Sequence, residues 1–180
     1  MIRGKRFLWL TENYPPQRGG MSRSCDRIVH SFRAAGAVVD VFHFFSGKQR
    51  SATITESGNY VPLEVTESES HTINLAWTQI DCDRPRYDYL VSFGSHLSMI
   101  AAPIFAKWLQ ISLVSMIRGN DFDSSIFSPR KRSLITDLIE SSEVVFTVSS
   151  EKKQKIQSLW PDKTVEFVAN GIELSEWQGS

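Results

Sequence analysis

The sequence has no long apolar run, few cysteines and no excess of charge of either sign. No stretch of about 18 consecutive apolar residues occurs, so no segment is predicted to span a membrane. Lys and Arg together number 20, as do Asp and Glu, which argues against a nucleic-acid scaffold. Cys25 and Cys82 form neither a disulfide framework nor a zinc site by themselves. The N-terminus turns polar too early for a signal-peptide core. We therefore expect a cytoplasmic protein.

Several motifs of catalysis and cofactor binding are missing as well. The sequence contains no Walker A loop, no Gly-x-Gly-x-x-Gly and no Gly-x-Ser-x-Gly, so it supports neither an ATPase, nor a dinucleotide site, nor a hydrolase elbow. No two histidines have the spacing of metal ligands, and Asp121 and Asp123 lack a third ligand nearby. We predict no metal site.

Short apolar runs alternate with segments of helical period along the whole chain. Strands are predicted at 6–11, 38–45, 89–93, 111–117, 144–148 and 165–169, with shorter strand-like pieces at 52–55 and 60–65. Helices are predicted at 21–35, 71–80 and 97–109, from Ser128-Pro129 onward, and after a cap at Ser149 or Ser150. The helix at 97–109 is expected to be buried all round and kinked near Pro103. This alternation predicts an α/β fold, a parallel sheet with helices on both faces. The length fits one domain.

Three loops at predicted strand ends carry unusual residues: 12–20, 94–96 and 118–123. In open parallel sheets, ligands bind beyond the carboxyl ends of the strands. Gly19 and Gly20 directly precede a helix, where backbone N–H groups and the helix dipole favour phosphate. The alternative is a tight turn that requires glycine. Arg118 and Asp121 place one cation and one carboxylate at a strand end, or form a pair that only shapes the loop. His96 is the third candidate, with capping or packing as its alternative.

Basic residues cluster in two further places. Residues 1–50 carry nine basic and three acidic side chains, whereas residues 51–90 carry two and seven. Arg130, Lys131 and Arg132 occupy a predicted first helical turn, where the dipole favours acidic residues instead. Together with basic residues in the first helix, they predict contact with an anionic lipid surface at the inner face of a membrane. The alternative is a solvated basic surface.

Four segments in order resemble one enzyme family. The opening FLWLTENYPPQRGGMSRSCDRIVHSFRAAGAVVDVFHF resembles the first strand, Glu-x-Tyr-Pro-Pro-x-x-Gly-Gly loop, helix and second strand of family 4 glycosyltransferases. LVSMIRGNDF is similar to the later strand that ends in His/Arg-Gly-x-Asp in that family. VVFTVSSEKKQKI and VEFVANGIELSEW resemble its final elements. The resemblance runs from Arg6 to Trp177.

The resemblance implies a GT-B architecture, in which two Rossmann-like domains face each other across a cleft. Residues 1–180 would form the N-terminal, acceptor-side domain of a retaining glycosyltransferase, without the C-terminal donor-binding domain, and would be inactive alone. The implied substrates are a UDP- or GDP-sugar donor and a glycan or lipid-linked acceptor, with no other cofactor, no metal and no nucleic acid. Half of a nucleotide-sugar epimerase of the same architecture and a stand-alone binding domain are the alternatives.

The resemblance also assigns roles to individual residues. Arg118 stands where many relatives have His, and an arginine orients a phosphate or hydroxyl but does not act as a base at neutral pH. The implied catalytic residues are Arg118 and Asp121, the diphosphate contacts are Gly19 and Gly20, and the acceptor contacts are Glu12, Tyr14, His96 and Asn120.

Overall fold

The structure is a computed structural model that describes residues 2–47, 51–83 and 86–170, without the side chains of residues 82 and 83. Its strands are all parallel and form one sheet. They are β1 Arg6–Thr11, β2 Val38–Phe45, β3 Tyr60–Glu64, β4 Tyr89–Phe93, β5 Ser112–Ile117, β6 Ser142–Thr147 and β7 Val165–Phe167.

Helices connect most of these strands. They are α1 Gly20–Ala34, α2 Glu69–Asp83, α3 His96–Leu109, α4 Asp121–Ile126, α5 Arg132–Ser141 and α6 Ser150–Leu159. Ser149 caps α6, as predicted, because its side chain accepts a hydrogen bond from the Lys152 N–H. None of the helices in the described ranges is both long enough and apolar enough to cross a bilayer.

The strand order places the site. Across the sheet it runs β3-β2-β1-β4-β5-β6-β7, so the chain reverses its direction of travel between β1 and β4. Thr11, the last residue of β1, pairs with His43 of β2 and Phe93 of β4, so the carboxyl ends of these strands lie side by side. This order makes the fold Rossmann-like and confirms the predicted α/β class. Ligands of such folds bind where the order reverses.

Apolar side chains cover both faces of the sheet, because successive residues of a strand point to opposite sides. Leu8 and Leu10 face the layer of α2, α3, α5 and α6. Phe7 and Trp9 face α1, where the Trp9 indole donates a hydrogen bond to Cys25 Sγ at 3.2 Å. Cys25 therefore lies on the inner face of α1.

Four local predictions need correction. The loop expected at 118–123 turns into helix α4 from Asp121, and α5 begins at Arg132 rather than at Pro129. Helix α3 is not buried all round, since Ile104 and Trp108 are 40% and 56% exposed. Of the piece at 52–55, only Thr53 forms a bridge, to Tyr60.

Candidate functional site

The loops after β1, β4 and β5 converge at the carboxyl edge of the sheet, as predicted. Gly94, which follows β4, has a φ of +54°, and a Cβ placed there would lie 2.9 Å from Asp121 Oδ2 and 3.0 Å from Met21 Cε. Met21 belongs to the first turn of α1, and Asp121 begins α4. The glycine therefore lets three segments, far apart in sequence, meet at one point.

The N-terminus of α1 carries no negative group of its own. Gly19 precedes the helix with a φ of +143°, which glycine adopts readily, and no side chain caps the helix. The first turn contains no acidic residue. The Ser22 hydroxyl in that turn is buried and has no hydrogen-bond partner in the described part of the chain. Exposed N–H groups, a positive helix end and a spare hydroxyl suit an anion.

Arg118 is a buried cation beside this helix end. It is 4% exposed, and its Nη2 donates to Ser24 Oγ of α1 at 2.6 Å and to Asn170 Oδ1. The guanidinium also lies 5.3 Å from the ring centre of Phe93. No carboxylate of the described residues forms an ion pair with it. Burial lowers the pKa of Arg118, yet a guanidinium stays charged at neutral pH.

Glu12 acts as a remote cap of α3. Its Oε1 accepts a hydrogen bond from the Leu97 N–H at 2.5 Å, at the first turn of that helix. Burial raises the pKa of Glu12, while the N–H bond from Leu97 opposes that rise. The carboxylate therefore occupies the α3 N-terminus, and of the helices that follow β1 and β4, α1 is the one whose N-terminus is open to a ligand.

Asp121 lines a cavity of about 120 Å³ between α3, α4 and α5. Its Oδ2 accepts a hydrogen bond from the Arg118 backbone N–H at 3.3 Å, so the contact between these two residues runs through the backbone and not through the guanidinium. Burial raises the pKa of Asp121, and the hydrogen bond from the Arg118 N–H opposes that rise, as do the weaker effects of the Lys131 and Lys152 charges. The other residues of the cavity wall are Ser95, His96, Met99, Ser124, Ser125, Lys131 and Leu134.

The remaining predicted site residues have different positions. His96 begins α3, reaches the same cavity, and its Nε2 lies 2.9 Å from Glu69 Oε1. Asn120 is exposed at the start of α4. Tyr14 is buried and stacks on Tyr60 with ring centres 5.7 Å apart, so its ring faces the sheet edge at β2 and β3 rather than the cavity.

The structure therefore divides the predicted residues into two neighbouring groups. Gly19, Gly20 and Arg118 lie on the α1 side of the sheet, and Asp121 and His96 line the cavity on the α3 side. Sequence reasoning missed Ser24 and Asn170, because each contacts a partner that is distant in sequence, and it missed Ser22, whose burial depends on tertiary packing. Lys131 was noticed only as part of a basic run.

The structure contains no metal-like cluster in the residues it describes, since no three His, Cys, Asp or Glu side chains converge there. No protein-family model matches the chain, and no curated protein matches it either.

Proposed function

We propose that this chain is the acceptor-side domain of a retaining glycosyltransferase of the GT-B type, similar to family 4, that uses a nucleotide-sugar donor. The observation that carries the proposal is the buried guanidinium of Arg118, which lies beside the uncapped N-terminus of α1 and forms no ion pair with any carboxylate of the described residues. Burying an unpaired charge is costly unless a ligand compensates it. A diphosphate supplies the missing negative charge.

The proposed roles follow from the two groups of residues. Backbone N–H groups at Gly19 and Gly20, together with Arg118, hold the diphosphate of a UDP- or GDP-sugar as it leaves, which stabilises the charge that develops in the transition state. Asp121 accepts a hydrogen bond from the acceptor hydroxyl in the cavity, which His96 also lines, and Asn120 contacts the acceptor from the exposed start of α4. Glu12 supports the acceptor cavity indirectly, because its carboxylate accepts a hydrogen bond from the Leu97 N–H and so positions the N-terminus of α3. The scheme needs no metal.

The proposal includes a second domain that grips the sugar and the nucleotide. We therefore expect residues 1–180 to bind a diphosphate weakly and to transfer no sugar alone. Sugar transfer by the isolated chain would contradict that part of the proposal. The proposal also includes a cytoplasmic location with peripheral contact at the inner face of the membrane, as a lipid-linked acceptor would require.

The direct test is a titration of the chain, at low salt, with inorganic pyrophosphate, UDP and GDP, followed by amide NMR. We expect the largest shifts at Gly19, Gly20 and Met21, because their N–H groups would contact the ligand. Uridine and guanosine, which lack the diphosphate, are the ligand controls and should shift nothing there.

Two arginine variants sharpen the test. Arg118→Gln removes the buried charge and should weaken pyrophosphate binding by about tenfold or more, as for loss of a charged hydrogen bond. Arg23→Gln removes an exposed charge from the same helix α1 and is the matched control. Equal loss in both variants, or no shifts at the α1 N-terminus with any diphosphate, would refute the site. Thermal melts show whether Arg118→Gln remains folded. A Cβ at Gly20 would meet no atom within 4 Å, so Gly20→Ala should leave the fold undisturbed. Weaker pyrophosphate binding by Gly20→Ala would support a ligand at the α1 N-terminus, and unchanged binding would count against it.

A further inference from the structure

An apolar groove of about 570 Å³ lies outside the cavity of Asp121, between α4, the turn that follows it, and α6. We call it the α4–α6 groove, and its apolar wall consists of Phe122, Ile126, Phe127, Leu159 and Trp160. Phe127 is 78% exposed and Leu159 is 55% exposed. Exposed apolar side chains grouped along one groove, with polar residues at its rim, are typical of a contact surface.

Arg130 and Arg132 are the cations near this groove that form no ion pair in the described part of the chain, and Glu140 reaches the groove wall at Trp160, whose Nε1 donates to Glu140 Oε1 at 3.4 Å. Arg130 is exposed and forms no ion pair in the described part of the chain. Arg132 lines the groove, and only its Nε is engaged, in a hydrogen bond to the Ile126 carbonyl at 2.8 Å. Lys155 also lines the groove, but Asp123 and Glu151 pair with it. Arg132 therefore lines the groove together with the exposed Phe127, and the exposed Arg130 lies three residues after Phe127 in the chain.

The structure separates the basic residues that the sequence grouped together. Lys131 reaches the cavity of Asp121 rather than the α4–α6 groove. Arg33 of α1 donates from Nη2 to the Val39 carbonyl at 2.6 Å, and α1 packs on the opposite face of the sheet from α6. The α1 arginines therefore cannot share one flat contact with Arg130 and Arg132.

We propose that the α4–α6 groove docks on the surface of a bilayer that contains anionic lipids. Phe127 and Leu159 would enter the boundary between headgroups and acyl chains, and Arg130 and Arg132 would meet the headgroup phosphates. This combination of apolar side chains at a turn and flanking free arginines complements such a surface in both polarity and charge. The inference deepens the peripheral location proposed above and assigns it to one surface. It does not depend on sugar transfer or on diphosphate binding.

The experiment is co-sedimentation of the full chain with two kinds of vesicle. One kind is pure phosphatidylcholine, and the other contains equal amounts of phosphatidylcholine and phosphatidylglycerol. We expect binding to the mixed vesicles that weakens as salt is added. Phe127→Ser should reduce that binding by about tenfold, and Arg130→Gln and Arg132→Gln should each reduce it by about fivefold.

Matched controls come from the same chain. Ile54→Ser changes an 84% exposed apolar residue outside the groove, and Arg23→Gln removes an exposed charge on α1. Both should bind like the wild type. Absence of vesicle binding, equal loss in the controls, or full binding by Phe127→Ser would overturn the proposal. Retention on polyglutamate without vesicle binding would assign the groove to an acidic protein partner and would overturn it too. Phe127→Ser should bind pyrophosphate as the wild type does. That titration distinguishes failure of the membrane proposal from failure of the proposed diphosphate site.

Discussion

Replacing Gly94 by alanine tests how the three loops of the site are joined. The new Cβ would lie 2.9 Å from Asp121 Oδ2 and 3.0 Å from Met21 Cε, both closer than van der Waals contact allows. The backbone at Gly94, with a φ of +54°, also disfavours any residue with a Cβ. The substitution therefore introduces strain in the backbone and a clash with two side chains.

The magnitude follows from these two contributions. A non-glycine residue in the left-handed region costs about 1 kcal/mol. Met21 is flexible and can move cheaply, but Asp121 can move only by weakening its hydrogen bond from the Arg118 N–H, at about 1 kcal/mol. We expect Gly94→Ala to lower the free energy of unfolding by about 2 kcal/mol, which for a domain of this size lowers Tm by about 6 °C.

The assay is thermal and urea denaturation of a double-mutant cycle. In an Asp121→Ala background the carboxylate is gone, so Gly94→Ala should cost only the backbone strain, and the two substitutions should couple by about 1 kcal/mol. Gly20→Ala is the control, because Gly20 has open space around it and begins a helix, and its Tm should stay equal or rise slightly. The same cost of Gly94→Ala in both backgrounds would refute the contact with Asp121.

Three further predictions concern stability and reactivity. Because burial raises the pKa of Glu12, its contribution to stability is present below its unfolded pKa of about 4 and is lost as the pH rises through the folded value. Urea denaturation should therefore show wild type losing stability relative to Glu12→Gln from acidic to neutral pH, and a constant difference would contradict this. Gly58→Ala would place a Cβ 2.1 Å from the Val39 carbonyl oxygen and should destabilise the fold by about 3 kcal/mol, measured as a fall in Tm, whereas an unchanged Tm would disprove the contact. Burial raises the pKa of Cys25 to about 12, so in a Cys82→Ser variant iodoacetamide should label Cys25 only after unfolding. Rapid labelling of the folded variant is the opposing result.

The proposed diphosphate site and the proposed membrane-docking groove lie on different surfaces of the molecule. The first depends on Arg118 and the α1 N-terminus, and the second on Phe127 and its neighbouring arginines. One can fail without the other. If both hold, the groove would anchor a domain whose reactive edge lies beside it, since α4 contributes Asp121 to the cavity and Phe122 to the groove wall.

Local sequence patterns predicted most strands and the long helices for a clear reason. Runs such as Arg6–Thr11 and Val38–Phe45 are buried on both faces of the sheet and therefore read as nearly continuous apolar segments. Helix α4 escaped prediction because six residues are too few to show a helical period. The start of α5 was placed at Pro129, but the chain forms a turn at that point, and the Ser128 carbonyl accepts a hydrogen bond from the Arg132 N–H at 2.9 Å.

By itself, the sequence determined the α/β alternation, the glycine pair before α1, and the strand end after which Arg118 and Asp121 follow, because these features depend on residues close together along the chain. Only the tertiary structure decided which groups meet. Arg118 contacts Ser24 and Asn170, which are 94 and 52 residues away, and Glu12 caps a helix 85 residues further on. Such contacts arise from the order of the strands and from the alignment of their carboxyl ends. These contacts bring the buried cation of Arg118 next to the uncapped N-terminus of α1.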